Sequence, residues 1–367
     1  MPWNRSGDRN MYYSLSNINM KKSIAVLGFS IACLGAFAQQ KEEAAPKMFK
    51  VDAVQKINAS IYQLVHNPVT KSVYVAGPKG GFRAETDQFV YVLDEATLAV
   101  KDSINIGKYT PFGLAINTKT QTLYVGHSIQ QNISAVDLKT RKSTLIPSGR
   151  EKSKIREIVV DEDRNLVYVS DHGDPSIWVV DGKTNKYLKT IAIPGAFPLG
   201  LNVDSRKGRI YTTDSATMQG NVLVYDSKTN ELVGKWKTWS YCPLNIALDP
   251  KKNRLFISQS NDNNITVLDA GSGEIIEKIY LGYDASPIGL VYDEKSGLLF
   301  TANREKKEVA VIDTETYKVK ERVATEGLAN TIVLDKNTGA VYVTNKSPRK
   351  ADDAIKKGDT VQKIVRI

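Results

Sequence analysis

Short apolar runs alternate with turns rich in Lys, Asn, Gly and Thr from about residue 50 to the last residue of the chain. Seven times an Asn or Asp closes one run, and a Tyr or Phe follows seven residues later inside the next. The pairs are Asn67/Tyr74, Asn117/Tyr124, Asp161/Tyr168, Asp204/Tyr211, Asp249/Phe256, Asp293/Phe300 and Asp335/Tyr342. Successive aromatics are 50, 44, 43, 45, 44 and 42 residues apart. Short strands repeating at about 40–45 residues predict a β-propeller. Each repeat reads as an inner strand, a second strand with the aromatic, a third ending in Asp, and a more polar fourth. The third-strand ends are Asp94, Asp137, Asp181, Asp226, Asp269 and Asp313, with a Thr or Ser three or four residues on. Carboxylates and hydroxyls at a turn entry accept or compete for nearby amides, so these Asp are read as turn formers.

The seventh repeat is short of a strand. It offers Ala329–Asp335, Ala340–Thr344 and Thr360–Ile367, whereas residues 51–57 form an unassigned strand at the other end. Pairing the two would close the ring and cover the sheet edges that an open array exposes. The expected fold is therefore all-β: a seven-bladed propeller of four-stranded blades over residues 49–367, its last blade closed by an N-terminal strand.

The N-terminal region has a different pattern. Met20-Lys21-Lys22 is a basic start, residues 23–34 are mostly apolar, and Ala36-Phe37-Ala38 is a small-x-small site. This reads as a secretory signal peptide over residues 1–38, with translation beginning at Met20, followed by a polar leader over residues 39–48. The apolar run is too short to span a bilayer, and no other stretch approaches that length. A secreted or periplasmic, monomeric protein without a membrane span is expected. Removing residues 1–38 takes away four basic residues and one acidic one, changing the formal charge from +10 to +7. Of the two cysteines only Cys242 would remain, so no intrachain disulfide is expected.

Tyr342-Val343-Thr344-Asn345 is the tetrapeptide for which the YVTN family of propeller repeats is named. The wider text resembles that family's YncE-type secreted propellers, through Pro111–Gly113 with Asn117–Leu123, Arg156–Asp161 with Tyr168–Ser170, and Ile177–Gly182. The resemblance covers essentially all of the expected mature chain. It implies a periplasmic seven-bladed propeller without an established catalytic activity, for which association with single-stranded DNA at the funnel has been suggested.

Fold alone names no function, so a site has to be argued from residues. Aligning the repeats places Tyr62/Gln63, Phe112/Gly113, Arg156/Glu157, Leu199/Gly200, Leu244/Asn245, Ile288/Gly289 and Asn330/Thr331 at one mouth of the channel. Arg156 and Glu157 are a charged pair where other blades carry glycine, amides or a hydroxyl. They read either as a salt bridge plugging the channel or as a ligand anchor, since a guanidinium offers forked donors to carboxylate or phosphate. The same rim gathers Lys79, Arg83, Arg304, Lys346 and Arg349 with Tyr109, Phe112, Trp239 and Tyr241. Cations interleaved with exposed aromatics suit single-stranded DNA or another polyanion, phosphates meeting the cations while bases stack. Solvated lysines and aromatics packed between blades would give the same text. His127 and His172, with Asp171 beside the latter, fall in neighbouring rim loops, but no metal-ligand spacing supports a metal centre there. No nucleophile motif or phosphate-cradling loop occurs, and no cofactor is expected. A lactonase- or quinone-dehydrogenase-like enzyme and a protein-interaction scaffold remain the alternatives to a ligand-binding propeller.

Overall fold

The computed structural model describes residues 46–57, 60–78, 86–347 and 358–367. The signal-peptide reading, Lys79, Arg83 and Arg349 therefore lie outside the described residues. Within them the chain is all-β and forms seven four-stranded antiparallel sheets. Blades 1 to 6 occupy residues 64–105, 114–147, 155–192, 198–237, 243–280 and 287–324. Blade 7 takes three strands from residues 328–366 and its outermost from Phe49–Ile57, which pairs antiparallel with Asp359–Arg366 from Phe49↔Arg366 to Ile57↔Asp359. The strand that closes the ring begins two residues before the stretch the sequence suggested.

Apolar residues alternate along the strands so that each sheet face meets the next blade, and the core is seven clusters, one per blade interface. Trp178, Tyr124, Tyr168, Tyr211, Tyr342, Phe256 and Phe300 are the largest fully buried side chains. Six of these seven are the repeating aromatics. The tyrosine hydroxyls do further work: Tyr124 donates to Asn185 Oδ1 at 2.8 Å, Tyr342 to the Glu95 carbonyl at 2.9 Å and Tyr211 to the Ala270 carbonyl at 3.3 Å. Each acceptor lies in the turn between third and fourth strands of the following blade. A buried hydroxyl favours a partner, so these three tyrosines fix blade against blade as well as filling the interface, whereas the Tyr168 hydroxyl has no partner among the described residues.

The Ser or Thr two residues after the aromatic has its own task. In blades 3 to 7 the inner strand carries an irregularity near its start, and a bulge of this kind leaves a ladder amide unpaired. In four of these blades a second-strand hydroxyl accepts that amide: Glu157 N on Ser170 Oγ (3.0 Å), Gly200 N on Thr213 Oγ1 (2.8 Å), Asn245 N on Ser258 Oγ (3.0 Å) and Thr331 N on Thr344 Oγ1 (3.1 Å). Three of the hydroxyls donate onward to the next blade: Ser170 to Leu199 O, Ser258 to Ile288 O and Thr344 to Tyr62 O. In blade 7 the Tyr342-Val343-Thr344 core thus connects to blade 1 at two heights.

At the bulge level the ring reads Gln63, Gly113, Glu157, Gly200, Asn245, Gly289 and Thr331 in blades 1 to 7. The glycines sit where backbones converge. A Cβ on Gly200 would meet the Leu244 carbonyl oxygen at 2.5 Å, and one on Gly289 the Asn330 oxygen at 2.8 Å. Only glycine lets the next inner strand approach that closely.

The third-strand aspartates behave as turn formers. Asp137 Oδ1 accepts the Lys139 and Thr140 amides at 2.8 and 2.9 Å, and Asp94, Asp181, Asp226, Asp269 and Asp313 repeat the pattern. These amides hold Asp94, Asp137, Asp226, Asp269 and Asp313 below the usual carboxylate range. A carboxylate depressed on folding stabilises the fold above its unfolded pKa and loses that contribution as pH falls through its folded pKa. The melting temperature should therefore be level above about pH 5 and fall progressively below about pH 4. Thermal melts showing no fall between pH 4.5 and 2.5 (both approximate, bracketing the carboxylate range) would contradict this role.

Candidate ligand site at the channel mouth

Inner strands run from the mouth toward the face that carries the Asn/Asp turns, so the loops entering them and those between second and third strands share one rim. From the blade order, Tyr62, Arg156 and Cys242 enter from blades 1, 3 and 5.

Arg156 and Glu157 do not pair with each other. Glu157, 9% exposed, accepts Gln63 Nε2 at 2.5 Å, from two blades away. Gln63 in turn accepts the Leu114 amide at 2.8 Å, so one amide side chain ties blades 1, 2 and 3 across the space left by Gly113. Burial pushes the Glu157 carboxyl up, against the opposing pull of Arg156 and Gln63. Arg156 is half-buried, and its guanidinium lies 5.7 Å from the centre of the Tyr62 ring. Among the described residues no carboxylate comes within the 4.0 Å of a salt bridge. The Arg156 charge reaches His172 in its own blade and Cys242 at the entry to blade 5; burial is the larger influence on both, lowering the imidazole and raising the thiol. The plug reading is therefore replaced: Glu157 and Gln63 bridge the blades, and Arg156 is left as a cation without an ion-pair partner.

Tyr62 organises this cation. It meets Phe112 edge-on at 5.5 Å, and Lys346 Nζ stands 5.4 Å from its ring centre. Lys346 also pairs with Asp359 at 3.3 Å. Phe112 is 8% exposed and supports Tyr62, rather than presenting a face to solvent. Asn330 is buried and accepts Arg304, and Asn245 turns its Oδ1 onto the Ile246 amide at 2.9 Å. Tyr109 packs on His127 with ring centres 5.3 Å apart. The open aromatics are Trp239, 58% exposed, and Tyr283, 78% exposed, with Phe197 and Tyr241 less so. All four lie in loops that enter inner strands. Lys237 covers one face of Trp239, its Nζ 4.5 Å from the ring centre, and Tyr241 is anchored through its amide to Asp262 at 2.7 Å.

The histidines of the rim do not meet around a metal. His127 is fully buried, with Nε2 on Ser134 Oγ at 2.8 Å and Nδ1 near the Thr110 carbonyl, and burial lowers its pKa to about 4. Asp171 accepts the amides of Lys154, Gly173 and Asp174 and the Trp178 indole. His172 packs on Phe197, ring centres 5.0 Å apart.

On the opposite face three basic turn residues pair with carboxylates of the next blade. Lys119 pairs with Asp163 at 2.9 Å, Lys251 with Glu294 at 3.0 Å, and Lys252 with Glu315. Gln63 and Tyr62 carry more of the mouth than their residue types suggested. The available signal was their alignment with the Arg156/Glu157 position.

A scan of protein-family models found no match. Proteins named as uncharacterized protein YncE are similar over most of the chain. The one from Salmonella typhi is 31% identical over 290 residues, 75% of this chain and 80% of the relative. The one from Escherichia coli strain K12 is 28% identical over 349 residues, 91% of this chain and 94% of the relative. Among solved structures, the hydrazine synthase of Kuenenia stuttgartiensis superposes with a TM-score of 0.68 at 16% identity, over 85% of this chain and 97% of that one, a likeness of fold alone. With identity and coverage at these levels, the chain belongs to the YncE family of β-propellers.

Proposed function

We propose that this is a secreted, periplasmic, non-enzymatic propeller that binds an anionic ligand at the channel mouth, with single-stranded nucleic acid the first candidate. The observation that carries the reading is Arg156, half-buried, held over Tyr62, and without a carboxylate in salt-bridge reach among the described residues. A cation in that state keeps its forked donors for an incoming carboxylate or phosphate. Trp239, Tyr241, Phe197 and Tyr283 favour a ligand with flat groups, because base–aromatic stacking is sequence-tolerant and worth about 1–3 kcal/mol per base. On the opposite face Lys119, Lys251 and Lys252 are each paired with a carboxylate of the next blade, whereas Arg156 at the mouth is not, among the described residues.

The experiment is a binding titration with fluorescent single-stranded oligonucleotides and, separately, inorganic phosphate, over a range of salt. Arg156→Ala should lower affinity for both. Lys346→Ala should lower the affinity for the oligonucleotide and flatten its salt dependence, since each neutralised phosphate releases counterion. Trp239→Ala should weaken oligonucleotide binding by about 1–3 kcal/mol with little change in slope. Because Glu157 is pushed up by burial, the mouth gains positive charge as pH falls through that group, so binding should tighten toward acid pH. Glu157→Gln should tighten binding at neutral pH and remove that dependence. If Lys251→Ala/Lys252→Ala, on the far face, weakens binding as much as the mouth variants, only net charge is being measured and the reading is wrong.

A further inference from the structure

The channel's other end holds a group that the repeat does not explain. His66 lies at the end of the blade 1 inner strand, Asp335 just after the blade 7 inner strand, and Glu95 in the turn after the third strand of blade 1. The donor atoms of these three side chains all lie within 4.8 Å of one another, and they are the one such group among the described residues. His66 is 7% exposed and stacks against Tyr342, ring centres 5.7 Å apart and planes 20° from parallel. Its Nε2 is 2.8 Å from Glu95 Oε2, a hydrogen bond. Its Nδ1 is 3.7 Å from Asp335 Oδ1, too far for one. His66 and Asp335 both line a cavity of about 560 Å³ that opens at this end and also takes in Glu162, Asp163 and Lys336.

A buried imidazole with one nitrogen hydrogen-bonded to a carboxylate and the other unbonded beside a second carboxylate has the layout of a metal ligand with its orienting partner. Metal-bound histidines commonly donate their other N–H to a carboxylate, which fixes the tautomer and raises ligand basicity. Two donors about 2.0–2.1 Å from one tetrahedral ion are separated by about 3.4 Å. The Nδ1–Oδ1 gap of 3.7 Å is close to that and longer than a hydrogen bond. Asp335 Oδ1 also accepts the Asn337 amide at 2.9 Å, and Oδ2 the Thr338 hydroxyl at 2.5 Å, so the carboxylate is held in place and Oδ1 keeps a lone pair. The cavity supplies an entry path and room for water ligands.

We propose that His66 and Asp335 bind a borderline divalent transition-metal ion such as zinc across the seam between blades 7 and 1, with Glu95 orienting the imidazole. The imidazole selects against calcium and magnesium, which prefer all-oxygen sites. Two protein ligands leave the remaining positions to water on the cavity side. The ion links the two blades contributed by opposite ends of the chain, so its binding stabilises ring closure.

The test uses the full-length mature protein without a polyhistidine tag, titrated with zinc chloride. The chain contains three histidines, so imidazole NMR resonances report which one responds. The expected result is a saturable shift of the His66 ring, unchanged His127 and His172 rings, and a melting temperature raised by about 2–4 °C at saturating zinc. His66→Gln and Asp335→Asn should each abolish the zinc-dependent rise, Glu95→Gln should weaken zinc binding by about 10-fold or more, and magnesium should have no effect. A shift confined to His172, a rise that persists in His66→Gln, or no response of the wild type at millimolar zinc would each overturn the proposal.

Discussion

Deleting residues 46–57 is expected to convert a closed ring into an aggregating or grossly destabilised chain. Those residues supply the outer strand of blade 7, and the edge they cover, Asp359–Arg366, would be left with a free row of amides and carbonyls. Their side chains reach further than the blade they complete. Phe49 meets Phe300 of blade 6 edge-on at 5.3 Å, and the Met48 and Phe49 amides both donate to Glu321 of blade 6, at 2.7 and 3.0 Å. Ile57 belongs to the cluster between blades 7 and 1. A milder version separates strand loss from core loss: Phe49→Ala should cost about 3–5 kcal/mol, the range for emptying a buried aromatic site. That corresponds to roughly 4–8 °C in melting temperature for a ring of this size. Size-exclusion chromatography with thermal melts decides the matter. A deletion variant that stays monomeric and melts with the parent would show that the ring does not depend on this strand.

Arg254→Ala should be the most costly single charge removal among the described residues, about 3–5 kcal/mol. Arg254 and Asp249 are both buried, and Nε and Nη2 bond Asp249 Oδ2 at 3.1 and 2.7 Å. The remaining nitrogen crosses to blade 6, donating to the Thr314 carbonyl at 2.6 Å and to the Tyr317 hydroxyl at 3.0 Å. Taking away the guanidinium leaves a buried carboxylate held by the Lys251 and Lys252 amides without a cation beside it. Burial raises Asp249, but the Arg254 side chain and these amides outweigh it and hold the group below the usual range. A depressed carboxylate contributes stability above its unfolded pKa and loses it as pH falls through the folded value. The gap between wild type and Arg254→Ala should therefore be widest near neutrality and shrink below about pH 4, where a protonated Asp249 no longer needs the cation. Denaturant unfolding at pH 7 and near the carboxylate range measures both halves. A penalty that is the same at the two pH values would show that lost packing, not an orphaned charge, is responsible.

The architecture was legible because each repeat solves the same interface problem with the same side chains. Tyr124, Tyr211 and Tyr342 recur since each must fill one inter-blade gap and place a hydroxyl on the following turn, and Asp94 or Asp137 recur since each must bind two turn amides. Blade 7 was legible from its missing strand. The mouth was less so, for reasons of distance along the chain. Arg156 and Glu157 are neighbours in sequence and opposite in charge, which invites pairing, yet Gln63, 94 residues away, takes the carboxylate. Phe112 sits in a rim loop but turns inward because Tyr62 offers it an edge. His66 lies in blade 1 and Asp335 in blade 7, near opposite ends of the described chain. Only closure of the ring brings the two together.

The bulge-level ring of Gln63, Gly113, Glu157, Gly200, Asn245, Gly289 and Thr331 has a consequence of parity. Side chain and glycine alternate from blade to blade, and an alternation cannot return to its starting point in an odd number of steps. One mismatch is forced on a seven-membered ring, and here it falls between Thr331 and Gln63, where two non-glycine positions stand side by side. That is the junction of blades 7 and 1, and Thr331 eases the crowding with a short hydroxyl that donates to the Tyr62 carbonyl at 2.9 Å. An eighth blade with glycine at this level would restore the alternation if inserted there. Inserted anywhere else, it would leave the ring with two faults instead of one.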